Sequence, residues 1–472
     1  MNEEEVVRLS SDVSIIRREK RVLAVNRKSL KWLGIPLTLA PLLLRFDGRT
    51  RQQISQGWDS SQIAYFDFEQ WALEGDLLEI GAVAQQSEEA PLERQIVILK
   101  LVQGCNLACS YCYDEATTQV IRMDLSVLKA AIKRSFTSRS TDRLHFHFLG
   151  GEPTLHWDGI EQGVTFGRDL AEASGVSVSF ALGTNGTLIS PRQLRWLAEN
   201  DVAIRLSVDG GEGAHDKYRI DHAGRGTHAK VMSFLRRLLD SGYRNWTVVS
   251  TVTKASVGQI PAFVQYLESI GVPSIQLQPC RQQGFAAGVA GLSPSGLEYA
   301  KALREMTLLV VRGEVSHIRI EALLRSAFPF LTGRSVYAGC SGQRCGAGSE
   351  IIAYDYDGSV GACDTIPKGN LRRMGEVQGT VINFLPIAQK ASVMAIPECQ
   401  TCAWLKPCRG GCPGAAASDD GSFFWKHSME CEFNLDFLPF LLEAMGSSDV
   451  LLEYLSRHVS SLQGEILQDR VN

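Results

Sequence analysis

The stretch Ile96-Val-Ile-Leu-Lys-Leu101, followed by Val102-Gln103-Gly104 and then Cys105-Asn-Leu-Ala-Cys109-Ser-Tyr111-Cys112-Tyr113, decides the fold. A short apolar run stopped by glycine reads as a buried strand. Working outward, similar strands are expected at His145–Leu149, Ser177–Leu182, Ala203–Val208, Trp246–Val252 and Ser274–Leu277. Amphipathic segments such as Leu125–Phe136, Pro191–Glu199, Ala229–Leu239 and Ile260–Ile270 lie between them. Six strand-then-helix units imply parallel strands with right-handed crossovers, an α/β partial (β/α)6 barrel over residues 89–333. Chemistry in such barrels gathers at the carboxyl ends of the strands. The cysteine loop sits at the first of those ends.

The rest of the chain frames this barrel. Its 472 residues are enough for about three domains. Lys plus Arg is 48 against 52 for Asp plus Glu, a net charge of −4 that gives no electrostatic reason to expect nucleic acid or an anionic membrane as partner. The longest near-apolar stretch, Gly34 to Phe46, falls well short of the roughly 20 residues that span a bilayer. The acidic start Met-Asn-Glu-Glu-Glu lacks the charge of a secretory signal, so a cytoplasmic location is expected. Twelve cysteines in a reducing compartment are better read as metal ligands than as a disulfide framework.

Cys105, Cys109 and Cys112 form a Cys-x3-Cys-x2-Cys loop. Three thiolates can hold three irons of a four-iron, four-sulfur cluster and leave the fourth iron open for chemistry. Structural zinc wants four closed ligands, and no fourth Cys or His follows within the loop. This spacing, with Tyr111 before the last cysteine and a barrel strand before the loop, resembles the signature of radical S-adenosylmethionine (SAM) enzymes. The resemblance implies that SAM chelates the open iron and is cleaved by one electron to a 5′-deoxyadenosyl radical that abstracts a substrate hydrogen. It also implies SAM contacts at Gly150, Gly151, Glu152 and Pro153, at Asn185, at Ser207, and at Arg219 for the SAM carboxylate. Asp209 is a weaker member of that set.

Eight further cysteines lie between 340 and 431. Cys345-x12-Gly358-x4-Cys363, then Cys399-x2-Cys402-x5-Cys408-x3-Cys412 and Cys431, resembles the SPASM domain that follows the barrel in peptide-modifying radical SAM enzymes. It implies two auxiliary 4Fe-4S clusters over residues 334–432, three clusters in all. Cys412 would join Cys340, Cys345 and Cys363, while Cys399, Cys402, Cys408 and Cys431 hold the other. If Cys340 is not a ligand, the nearer cluster keeps an open iron; paired zinc sites are the alternative occupants. Asp364 would sit beside that cluster as a candidate base, or else cap the turn after Cys363. Cys280 reads as a buried, inert thiol, and His145 and His147 as structural residues.

Residues 1–88 read as a hairpin, with Val13, Ile15 and Ile16 against Val22, Leu23 and Val25. Three helices follow, over Leu37–Phe46, Arg51–Gln56 and Phe66–Leu78, and Gln85–Pro91 reads as a linker. With Leu43 to Thr50 and Leu73 to Glu79, this unit resembles the winged-helix-like peptide-recognition element of enzymes that modify ribosomal peptides, in which a precursor's leader adds a strand to a sheet edge. Residues 433–472 return to helix. The expected function is a radical SAM maturase that installs a thioether or carbon–carbon crosslink in a precursor peptide, served by an external one-electron reductant of flavodoxin or ferredoxin type. The rivals are a formylglycine-generating anaerobic sulfatase maturase and a non-catalytic iron–sulfur electron-transfer protein.

Overall fold

The computed structural model describes residues 6–18, 21–56, 58, 63–80, 94–139, 141–332, 345–366, 373–379, 396–422 and 426–468. The expected linker at 85–91 and Cys340 lie outside them. The N-terminal unit holds β1 (Val6–Leu9), β2 (Val13–Arg17), β3 (Arg21–Asn26), β4 (Trp32–Pro36), β5 (Asp47–Thr50) and β6 (Leu78–Ile80). These make two antiparallel sheets, in orders β5-β1-β6 and β2-β3-β4. The expected hairpin is present as β2 and β3, with Ile15 opposite Ala24. The expected strand pair followed by three helices is otherwise too simple. Strands of three to five residues show little readable period, so β1, β4, β5 and β6 were hidden. The first expected helix is a 3-10 stretch, Ala40–Arg45, because the chain from Asp47 is drawn into pairing with β1. The third spans Tyr65–Glu74, and Leu78 belongs to β6 instead.

The barrel strands are β7 (Gln95–Val102), β8 (Arg143–Gly150), β9 (Ser177–Thr184), β10 (Val202–Ser207), β11 (Trp246–Val252) and β12 (Ser274–Pro279). All six are parallel, and a two-residue β13 (Arg319–Ile320) adds to β12. On the other side β14 (Ile351–Tyr354) pairs parallel with β7, and β15 (Ser359–Gly361) and β16 (Arg373–Glu376) continue the sheet to ten strands. The second cysteine region is thus hydrogen-bonded to the strand that leads into the first.

Alternation sets the layers. Leu144, Phe146 and Phe148 of β8 are buried, and the Phe146 and Phe148 rings stack on Phe180 at 5.7 and 6.2 Å. His145 and His147 occupy the opposite face of that strand. Alternation also docks the N-terminal unit. Ala24 of β3 packs in that unit's own core with Ile35, Leu43 and Phe68, whereas its neighbours Leu23 and Val25 belong to the core shared with the barrel and the C-terminal helices. Arg18 pairs with Glu443 at 3.3 Å across the same junction. Helix Ser428–Met445 begins before Cys431, so the cysteine region runs into the C-terminal helices without a break.

Candidate active site

The loop after β7 is held on both sides. Cys105 N–H donates to Thr117 O at 2.9 Å, Ala108 N–H to Ile220 O at 2.8 Å, and Phe285 N–H to Cys112 O at 3.0 Å. The three thiols are half-buried. Leu107 N–H aims at Cys105 Sγ at 3.3 Å, the type of contact that supports a cluster thiolate. Burial pushes all three thiols up, Cys109 to about 11, so each favours its neutral form unless a metal compensates the charge. Among the described residues no three His, Cys, Asp or Glu side chains converge as a single-ion site requires. Three thiols on one loop, one of them met by a backbone N–H, suit a group that takes a separate ligand at each corner, as a four-iron cluster does.

Gly150 and Gly151 let β8 cross this loop. Gly150 has φ +121°, and a Cβ on Gly151 would stand 2.1 Å from Gly104 O. No other residue fits there. Glu152, 1% exposed, follows. Its Oε1 accepts from Thr154 N–H, Thr154 Oγ1 and Thr184 Oγ1 at 3.2, 2.6 and 2.7 Å, and its Oε2 from Asn185 N–H at 2.8 Å. Burial pushes its carboxyl up, against those hydrogen bonds. Oε2 keeps lone-pair capacity for a further donor such as an ammonium. Pro153 opens the 3-10 turn Pro153–His156. Asn185 Nδ2 reaches Asn106 Oδ1 at 2.9 Å and Cys105 Sγ at 3.9 Å, bringing the third strand end to the cysteine loop.

Ser207 ends β10, and Asp209 beyond it is buried. Asp209 accepts from Thr251 N–H at 2.9 Å, from Arg219 Nε at 2.8 Å and from Tyr111 Oη. The Arg219 guanidinium lies over the Tyr111 ring, 5.3 Å from its centroid. Tyr111 and Arg219 therefore meet on Asp209, which organises the fourth strand end from below. Cys280 is 5% exposed and packs beside Tyr111, with burial pushing its thiol to about 12, as an inert residue would.

The second array lies beside the first. Cys363 is buried and Cys345 half-buried; the resemblance to SPASM domains joins them to Cys412 and to Cys340. Burial pushes Cys399, Cys408 and Cys431 up, Cys408 to about 12, and a neighbouring thiolate of the same group adds to each shift, behind Glu430 at Cys408. Asp364 receives a hydrogen bond from Tyr113 Oη at 3.4 Å.

Residues that sequence reasoning passed over complete the site. Lys100 is buried in β7 and pairs with Asp114, with Asp355 at 4.0 Å, and its ammonium lies 5.1 Å from the centroid of the Tyr113 ring. A lone lysine in an apolar strand is itself a signal, since a buried charge demands a partner. Arg281, Glu430 and His427 carried no such signal.

A parallel barrel with a three-thiol loop at its first strand end and glycine-permitted crossings at the second is the arrangement expected of a radical SAM domain. The Radical SAM superfamily matches residues 99–257. That match spans about a third of the chain and shows a Radical SAM domain there; the chain is an enzyme, and the domain implies SAM and a 4Fe-4S cluster. The serine-type anaerobic sulfatase-maturating enzyme of Klebsiella aerogenes is 28% identical over 357 residues, covering 71% of this chain and 85% of that protein. Native anSMEcpe with bound AdoMet superposes with a TM-score of 0.62 at 23% identity, covering 75% of this chain and 99% of its own. SuiB of Streptococcus suis bound to precursor peptide SuiA has a TM-score of 0.52 at 14% identity and covers 90% of this chain and 99% of its own. The cysteine-rich C-terminal region fits a SPASM-like domain. Among the described residues no helix is long and apolar enough to cross a membrane.

Proposed function

We propose that this enzyme oxidises a Ser or Cys side chain in a peptide or protein to an aldehyde, the formylglycine-forming alternative drawn from the sequence, which its serine- and cysteine-type sulfatase-maturating relatives favour. The observation that carries the reading is the 28% identity across 85% of the Klebsiella enzyme. It revises the crosslinking activity expected from the sequence. Cys105, Cys109 and Cys112 would hold the cluster that binds SAM, and the pair would supply a 5′-deoxyadenosyl radical able to take one hydrogen atom from the substrate Cβ. Glu152, Asn185, Ser207 and Arg219 line the strand ends that would hold SAM. The carbon radical must then lose one proton and one electron to become a carbonyl or thiocarbonyl, the latter hydrolysing to the aldehyde. Asp364, at the edge of the cysteine loop, takes the proton. Cys345, Cys363 and Cys412 with Cys340, and Cys399, Cys402, Cys408 and Cys431, would hold auxiliary 4Fe-4S clusters able to accept the electron. A flavodoxin- or ferredoxin-type protein exchanges it with the cell.

Crosslinking of a ribosomal precursor is the second reading. It is favoured by the N-terminal sheets and by the match to SuiB, which covers 90% of this chain against 75% for anSMEcpe. Both products lose two hydrogens when the target is Ser, so mass alone does not separate them. Incubation with SAM, reductant and Ser- or Cys-containing sulfatase peptides, followed by a hydrazide reagent, should tag an aldehyde. Peptides that stay unmodified here while a precursor becomes crosslinked would overturn the first reading in favour of the second.

A further inference from the structure

We propose that Arg281 raises the reduction potential of the auxiliary cluster bound through Cys412, fitting that cluster to accept the electron from the substrate radical. This rests on the reading that Cys412 is a cluster ligand. Arg281 directly follows Cys280 beyond β12, at the carboxyl rim of the barrel. Its Nη1 lies 3.6 Å from Cys412 Sγ and its Nη2 3.8 Å from Glu430 Oε1. Glu430 Oε2 accepts the Cys412 N–H at 2.9 Å. A guanidinium and a carboxylate thus grip one cysteine, the first at its sulfur and the second at its backbone.

The grip is braced. Glu430 faces His427 Nδ1 at 3.6 Å, His427 Nε2 meets Asp419 Oδ2 at 2.9 Å, and Asp419 Oδ1 accepts the Gln282 N–H at 2.9 Å. The circuit starts at Arg281 and returns at Gln282, fixing the rim of β12 to the cysteine region.

Reduction adds negative charge to a cluster and its sulfurs, so a cationic donor at a ligating sulfur stabilises the reduced form. Glu430 opposes this field, but its oxygens are engaged by the Cys412 N–H, His427 and Arg281. The substrate radical is oxidised by one electron while its proton leaves to a base, and the cluster is reduced by that one electron. The flavodoxin- or ferredoxin-type partner then removes it.

The test uses the Cys105→Ala/Cys109→Ala/Cys112→Ala protein, which leaves only auxiliary clusters, in a redox titration followed by electron paramagnetic resonance. Arg281→Gln should shift one transition to more negative potential with unchanged iron content, and Arg281→Lys should fall between it and the parent. Unmoved transitions in Arg281→Gln, with iron retained, overturn this inference alone. A parent protein without iron overturns the auxiliary-cluster reading, and the inference with it.

Discussion

Tyr113 Oη donates to Asp364 Oδ2 at 3.4 Å, joining the residue after the last cysteine of the first array to the residue after Cys363 in the second. Their separation in the chain is 251 positions. The proposed base role of Asp364 would put proton removal between the two cysteine arrays. Asp364→Asn keeps size and hydrogen bonding but removes basicity. Expected are normal iron, continued 5′-deoxyadenosine formation and product yield down by about a hundredfold or more, the usual scale for a general base. Tyr113→Phe, which removes the hydroxyl donor but keeps the Asp364 carboxylate, should lose less. Wild-type product from Asp364→Asn would remove it from the mechanism, and lost iron would make it structural.

The metal content follows from the thiols. If the eleven cysteines proposed as ligands hold three clusters, anaerobic reconstitution should give about twelve irons per chain. Replacing Cys105, Cys109 and Cys112 with Ala should remove about a third of the iron and all SAM cleavage. Turnover surviving that change, or zinc in place of the remaining iron, would defeat the assignment.

Glu152→Gln tests the second strand end. The carboxylate takes four hydrogen bonds from Thr154, Thr184 and Asn185, and an amide would turn N–H groups toward some of those donors. A mismatched buried donor costs about 1 to 3 kcal/mol. The variant should melt several degrees lower and cleave SAM slowly; an unchanged melting temperature would show the carboxylate is not what ties these loops.

What could be read from sequence was local. The cysteine loop, Gly150 and Gly151, and the six strands each announce themselves within a dozen residues, through fixed spacing or an apolar run. The contacts that assemble the site do not. Tyr113 with Asp364, Lys100 with Asp355, and Arg281 with Cys412 join distant segments, and β14 reaches β7 across more than two hundred residues. The N-terminal strands β1, β4, β5 and β6 were missed for a different reason: they are too short to show a clear period, and only their pairing makes them strands.

His427 predicts a pH dependence. Its ring is 1% exposed; burial lowers its pKa, but Asp419 and Glu430 outweigh that and raise it to about 9. A raised histidine stabilises the fold fully below its unfolded value of about 6.5 and loses that contribution as pH rises through about 9. Melting temperature should therefore fall between those pH values, and His427→Gln should flatten the fall. Equal slopes in the two proteins would show that the imidazolium is not held by this circuit.

The N-terminal unit needs a test gentler than deletion. Leu23 and Val25 lie in the core shared with the barrel and the C-terminal helices, so removing residues 1–88 would strip apolar surface bare and confuse binding with unfolding. The strand β2 offers a cleaner probe. It pairs only with β3, so one of its edges is open among the described residues, and Ile15 on it is 46% exposed. An added peptide strand would gain backbone hydrogen bonds along that edge and cover the apolar side chain. Ile15→Glu faces solvent and should leave the melting temperature and peptide-independent SAM cleavage unchanged. If a precursor leader docks there, fluorescence anisotropy should show its affinity reduced about tenfold or more. Equal affinity for the two proteins would take the leader off this edge.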